Sequence, residues 1–97
     1  MAAFTTRVEL HNATWDDYVR LHQAMRGQGF TTTITSDAGE TYDLPPAEYN
    51  FEGQATLSAV VEKAKRAAAS VKSSFAVLVT EAVGRSWFGL TKTRRVA

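Results

Sequence analysis

Residues 4–34, FTTRVELHNATWDDYVRLHQAMRGQGFTTTI, read as a strand, a capped amphipathic helix, a glycine stop and a second strand. Phe4, Thr6, Val8 and Leu10 alternate with Thr5, Arg7, Glu9 and His11, the period of a half-buried strand. His11-Asn12-Ala13-Thr14 breaks that alternation. Thr14 is a good N-cap, with Asp17 three residues on in a near-capping-box spacing and two acids in the positive first turn. At 100° per residue, Trp15, Tyr18, Leu21 and Met25 share one face, while Asp16, Arg20 and Gln23 share the other. Gly27 and Gly29 can supply the positive φ that ends a helix, and Phe30 restarts a strand.

At 97 residues the chain has room for one domain, residues 1–97, with one modest core. Hydrophobic residues make up 44% and charged residues 22%, the balance of a folded domain and not of a disordered segment. No apolar run approaches the ~18 residues of a membrane helix, and no signal-peptide pattern opens the sequence. A cytoplasmic protein with no membrane partner is therefore expected. The chain has no cysteine, which excludes disulfides, thiolate zinc sites and a cysteine nucleophile. Its net charge of +1 is unevenly spread: residues 1–55 carry three Arg against eight acids (−5), and residues 56–97 carry eight Lys/Arg against two acids (+6). Such a split marks an anion-binding side if the two halves stay apart in space.

Downstream, the run from Thr31 to Ser36 is rich in β-branched residues, Asp37-Ala38-Gly39 supplies a turn, and Thr41–Leu44 returns as a hairpin. Pro45-Pro46 cannot donate to a ladder, so the returning strand bulges there or starts afresh at Ala47, where Ala47, Tyr49 and Phe51 alternate with Glu48, Asn50 and Glu52. A second helix is predicted over 56–72, with Leu57, Val60, Val61, Ala64, Ala68 and Val71 as its apolar stripe. Phe75–Val79 forms a nearly continuous apolar strand, and Val83-Gly84-Arg85 turns it into a last strand near 86–91.

The element order is that of an α+β, ferredoxin-like βαββαβ sandwich with an additional C-terminal strand. Two helices, near 14–27 and 56–72, are expected on one face of a sheet of four or five strands. Trp15, Tyr18, Leu21, Met25, Val8, Leu10, Phe30, Ile34, Val61, Ala64, Val77 and Val79 are the expected core. The strand at 74–80 and the terminal hairpin leave an edge, so a homodimer is expected, with strand 86–91 or its neighbour near the two-fold axis.

Neither G-x-G-x-x-G nor a P-loop is present, and two histidines without cysteine offer no structural metal site, so no cofactor is expected. Glu9, His11, Asp16 and Asp17 gather at the first strand–helix junction. They could form an acid–base pair or hold a hard cation; they equally suit helix capping and a solvated surface. His11 projects opposite Leu10, where a general base can stand, and His22 either shares that work from the helix or rests at the rim of the core. Lys63, Arg66, Lys92, Arg94 and Arg95 are candidates to neutralise RNA phosphates, with Trp87 and Phe88 near the positive tail to stack bases. Alternatively, Trp87 and Leu90 finish the core or bury an edge. The stretch PPAEYNF is acidic and lacks the basic, glycine-rich third-strand motif of RNA-recognition domains.

The segments RVELHNATWDDYVRLHQAM…GF, TITSDAGETYDLPPAEYN and VLVTEAVGRSWFGL resemble a family of small bacterial proteins grouped with the GhoS-type antitoxin endoribonucleases. The resemblance spans nearly the whole chain and is one of length, element order and local pattern. It implies a ferredoxin-like fold and sequence-biased cleavage of single-stranded messenger RNA. It also implies basic residues on the middle of the first helix, where Arg20 and His22 stand, so that His11, Arg20 and His22 are the candidate catalytic residues. Two classes of function follow: a binder or endoribonuclease of single-stranded RNA, and a non-enzymatic module that meets a protein partner and dimerises through a sheet edge.

Overall fold

The computed structural model describes residues 2–93. The chain forms, in order, β1 (Ala2–Leu10), α1 (Trp15–Gly27), β2 (Thr33–Thr35), β3 (Thr41–Asp43), β4 (Glu48–Gly53), α2 (Leu57–Ala69) and β5 (Phe75–Ala82). It is a mixed α+β structure with two helices and antiparallel sheets.

β1 is the central strand of a three-stranded sheet ordered β4-β1-β5. Its alternation is used as expected: Phe4, Thr6, Val8 and Leu10 are buried, while Arg7 and Glu9 are exposed on the other face. Leu21 and Met25 of α1 and Val60, Ala64, Ala67 and Ala68 of α2 join the same core cluster as the apolar residues of that inner face, so both helices cover one side of the sheet. Phe30 and Tyr49 complete the cluster, and the Thr6 hydroxyl is buried among these side chains with no partner. The small alanines of α2 let it lie close to β5 and β1.

The expected single ferredoxin-like sheet does not form, because the strands divide into two sheets. β2 and β3 make a separate two-stranded ribbon, joined to β4 only by the isolated bridge Thr31–Asn50. The cause is local. In the ribbon register the pair Thr33–Asp43 is followed by the bond from the Leu44 N–H to the Thr32 carbonyl (2.9 Å). The next donor on that side of the strand, two residues on, would come from Pro46, which has none. Thr31 turns its backbone groups to the opposite side, where it exchanges bonds of 2.8 and 2.9 Å with Asn50 of β4. Ala47, at φ 67, then aims the chain into β4.

The expected strand at 86–91 is also absent. Residues 83–93 make one backbone bridge to the ribbon, Tyr42–Lys92, flanked by N–H bonds from Asp43 to Thr91 and from Thr93 to Thr41. Gly89, at φ +81, turns the chain too sharply for a continuous ladder.

Helix α1 begins with a complete capping box. Asp17 N–H donates to Thr14 Oγ1 (3.3 Å) and Thr14 N–H donates to Asp17 Oδ2 (3.0 Å). At the other end Gly29 has φ +95, and a Cβ there would stand 3.3 Å from the Phe51 ring, so glycine is needed twice over. Trp15, expected in the core, is 75% exposed. The buried stripe is centred on Leu21, flanked by Asp17 and Met25, and Trp15 lies about 120° from Leu21 in projection. In α2 the expected stripe residues Val60, Ala64 and Ala68 are buried with Ala67, while Val61, expected in the core, is half-buried at the edge of the stripe, and the helix stops at Ala69 short of Lys72. Val77 and Val79 are only partly buried because β5 is an edge strand. The remaining expected core residues are buried, apart from the half-buried Tyr18.

The Asp17 carboxylate gives a first test. The Thr14 N–H, followed by the Arg20 and Lys72 charges, holds its pKa below the ordinary value of 3.8, against the opposing effect of burial. A carboxyl whose folded pKa is depressed stabilises the fold above its unfolded value and loses that contribution as pH falls through the folded one. Urea unfolding measured from neutral pH downward should show an acid limb below pH 3.8, and Asp17→Asn should flatten it. A variant with an unchanged limb would show that this cap does not couple to folding.

Candidate functional site

The end of β1 gathers the most chemistry. Strand alternation places Glu9 and His11 on the outer side. The β1–β5 register, which pairs Leu10 with Phe75, extends one step further so that Ser74 stands opposite His11. The His11 N–H donates to the Ser74 carbonyl (3.1 Å), and the two side chains meet at His11 Nδ1–Ser74 Oγ, 2.7 Å. On the other ring nitrogen, Nε2 lies 3.4 Å from Glu9 Oε1. The carboxylate beside Nε2 favours the tautomer protonated there, in which Nδ1 accepts from the serine hydroxyl. The result is an exposed row of hydroxyl, imidazole and carboxylate in which the imidazole is oriented from both sides.

A second cluster adjoins it. Arg20 and Lys72 both pair with the buried Asp17, Lys72 Nζ at 3.6 Å from Oδ2. Lys72 is two residues from Ser74, so the 72–74 segment carries one member of each cluster. The neighbouring Leu10 N–H donates to the Tyr18 hydroxyl (3.2 Å), tying β1 to α1 at this point.

His11 and Arg20 are thus linked through the same end of the sheet; His22 is not part of that group. Its Nδ1 lies 2.6 Å from the Tyr49 hydroxyl, with the rings edge to face at 5.6 Å. Burial, with the Arg26 charge adding to it, pushes the His22 pKa down. Burial pushes the Tyr49 hydroxyl up. Both groups are therefore neutral at pH 7, and one hydrogen bond joins the phenol to Nδ1. His22 lines a groove of about 220 Å³ with Trp15, Arg26 and Pro45-Pro46.

The expected phosphate-binding residues are dispersed. Lys63 sits 5.9 Å over the Phe51 ring, and Arg66 is exposed on the last turn of α2. Lys92 pairs with Glu40 at 2.8 Å, which raises the Lys92 pKa and lowers that of Glu40. Arg94 and Arg95 lie outside the described residues. Among the described residues no group of three or more His, Asp or Glu is placed to hold a metal ion, and no helix is long and apolar enough to cross a membrane.

Sequence reasoning missed Ser74, Lys72 and Arg85. Ser74 could have been found only by extending the β1–β5 register, which requires knowing that these strands pair. Comparison of the chain with family models, with curated proteins and with solved structures found no match.

Proposed function

We propose that this chain is a ferredoxin-like cytoplasmic protein, with β2 largely detached from the sheet, that binds single-stranded RNA and cleaves it at the His11 end. The reading matches the GhoS-type family it resembles. The observation that carries it is the exposed His11 ring, held between Ser74 Oγ and the Glu9 carboxylate with Arg20 and Lys72 close by along the chain. In the complex a ribose 2′-hydroxyl takes the place of Ser74 as the donor to Nδ1. His11 accepts its proton, the 2′-oxygen attacks the adjacent phosphorus, and the 5′-oxygen leaves and takes up a proton, giving a 2′,3′-cyclic phosphate and a 5′-hydroxyl end. Glu9 stabilises the imidazolium, while Arg20 and Lys72, both held by Asp17 on the helix side of the same end, add positive potential there without touching the reacting phosphate. Lys63 and Arg66, neither ion-paired among the described residues, contact phosphates along the strand, and Lys92, Arg94 and Arg95 extend that contact.

Incubating the purified protein with a mixed single-stranded RNA pool, with magnesium or with EDTA, tests this reading. Fragments bearing cyclic phosphate ends are expected in both conditions, because the imidazole moves the proton. Intact RNA in both, with no retention on the protein at low salt, would remove the nucleic-acid reading.

A second reading rests on the edge of β5. The Val8 N–H bonds to Ala47 and the His11 N–H to Ser74, so the even residues of β1 bond towards β4 and its odd residues towards β5. By the β1–β5 register, Phe75, Val77, Val79 and Glu81 then turn their N–H and C=O groups to an open edge. Seven of the eight strand residues are uncharged, none is proline, and Leu78 is 65% exposed on the outer face. Such an edge pairs readily. A two-fold antiparallel contact between copies sets Leu78 against its own counterpart, with Val77 against Val79. Sedimentation at micromolar concentration should show a dimer that Leu78→Lys converts to monomer, because like charges would then stand directly opposite. A monomeric parent protein would refute this pairing.

A further inference from the structure

Residues 83–93 cross from the end of β5 to the ribbon, and each end of the crossing is tied down. Arg85 Nη1 donates to Asn50 Oδ1 (2.6 Å) and to Thr5 Oγ1 (3.2 Å) on the outer face of the sheet. Asn50 Nδ2 in turn donates to Glu52 (2.9 Å), and Arg85 Nη2 lies 4.0 Å from the same carboxylate. Trp87 packs edge to face on Tyr42, with ring centroids 5.7 Å apart. The Thr91, Lys92 and Thr93 contacts with the ribbon then close the far end. Between sheet, ribbon and crossing segment lies a cleft of about 420 Å³, within the size range of small-ligand sites.

The lining of this cleft specifies a ligand class. Ala3 and Ala82 add little bulk, and the indole of Trp87 and the phenol of Tyr42 offer flat apolar surface. The charged groups are the anchored Arg85 guanidinium and Asp37, exposed at the ribbon turn, and Thr35, Ser36 and Ser86 add hydroxyls that can donate or accept. Arg85 is already paired with Glu52 and Asp37 is negative, so the cleft has no surplus positive charge with which to hold a phosphate. A planar ring suits the aromatic surface, and a carboxylate, which only accepts hydrogen bonds, best suits an exocyclic amino group, which offers two N–H donors where the uracil imide offers one.

We infer that this cleft binds a planar, amine-bearing nitrogen heterocycle of the nucleobase class. The base can come from a free nucleotide or from one position of a single strand, and the chemistry at the ring is the same. The inference goes beyond the cleavage reading and uses none of His11, Ser74, Arg20 or Lys72.

The test uses the full chain carrying Trp15→Phe, which leaves Trp87 as the only tryptophan. Indole fluorescence is followed on titration with AMP, CMP, GMP, UMP, ribose 5-phosphate and a short single-stranded oligoribonucleotide. Saturable quenching is expected with the three amine-bearing nucleotides or, if the base comes from a strand, with the oligonucleotide alone. Ribose 5-phosphate should not quench. Trp87→Leu, followed by calorimetry with its circular dichroism checked, should lower affinity about tenfold or more. Asp37→Asn, at an exposed turn that leaves the fold intact, should selectively weaken the amine-bearing bases. No saturable quenching by any nucleotide or oligonucleotide, or equal quenching by ribose 5-phosphate, overturns the site. Uridine binding as tightly as the other nucleotides overturns the role of Asp37. Base binding that survives His11→Ala while RNA cleavage is lost would show that the two sites are separate, and failed cleavage in the parent protein leaves this titration interpretable.

Discussion

His11→Ala should lower cleavage of single-stranded RNA by about 10²–10⁴-fold, the usual contribution of a positioned general base. The ring is exposed, and its polar partners among the described residues are Ser74 and Glu9. Stability should therefore stay within about 0.5 kcal/mol of the parent protein, as for other surface substitutions. That separation gives the experiment its force, because a loss of activity cannot then be blamed on unfolding. Ser74→Ala provides the contrast. It frees Nδ1 without removing the base, so activity should be kept or raised. Glu9→Gln keeps the shape but removes the charge that favours the imidazolium, and it should lower the rate less than His11→Ala does. Rates equal to the parent protein's in His11→Ala would end the catalytic assignment, though RNA binding could still be measured by retention. A fall in both Ser74→Ala and His11→Ala would instead point to the serine as a participant.

Leu21→Ala should destabilise the fold by roughly 2–5 kcal/mol, the range for deleting a fully buried leucine side chain. Leu21 has no exposed surface and lies at the centre of the buried stripe of α1, in one core cluster with Met25, Phe4 and Tyr49. The cavity cannot collapse easily, because aromatic rings with fixed mutual packing border this core: Phe30 meets Tyr49 at 6.4 Å and Phe51 at 5.3 Å. For a domain of this size each kcal/mol moves the melting temperature by roughly 4–8 °C. Thermal unfolding followed by circular dichroism therefore reads the effect directly. Trp15→Ala is the internal control: it removes a larger side chain from the same helix, yet should cost far less because that side chain is exposed. If the two variants lost equal stability, the face of α1 would be wrongly assigned.

Much of the local structure was legible in the residues themselves. The Thr14–Asp17 box, the glycine end of α1 and the inner face of β1 all appear where the sequence reading puts them. Each depends on groups within about one helical turn or on a strand period of two, so the information is contained in a short window. The rim of the helix stripes was less legible. Trp15 and Val61 are apolar and near the right angle, and only the position of the sheet beneath decides which shoulder of a stripe is covered.

What tertiary structure alone decided are the pairings across long stretches of chain. His11 meets Ser74 across 63 residues, Arg85 meets Asn50 across 35 and His22 meets Tyr49 across 27. The same holds for the division of the strands into two sheets and for the loss of the strand at 86–91, where one bridge to Tyr42 forms in place of a ladder. A polar or aromatic residue carries no mark of its distant partner, and a shift of one residue in register would send every side chain of a strand to the opposite face. Residue types thus nominated His11 and Arg20 as candidates. The antiparallel register of β1 and β5 is what sets a hydroxyl against the imidazole, and the packing of α1 against the 72–74 segment is what adds the lysine.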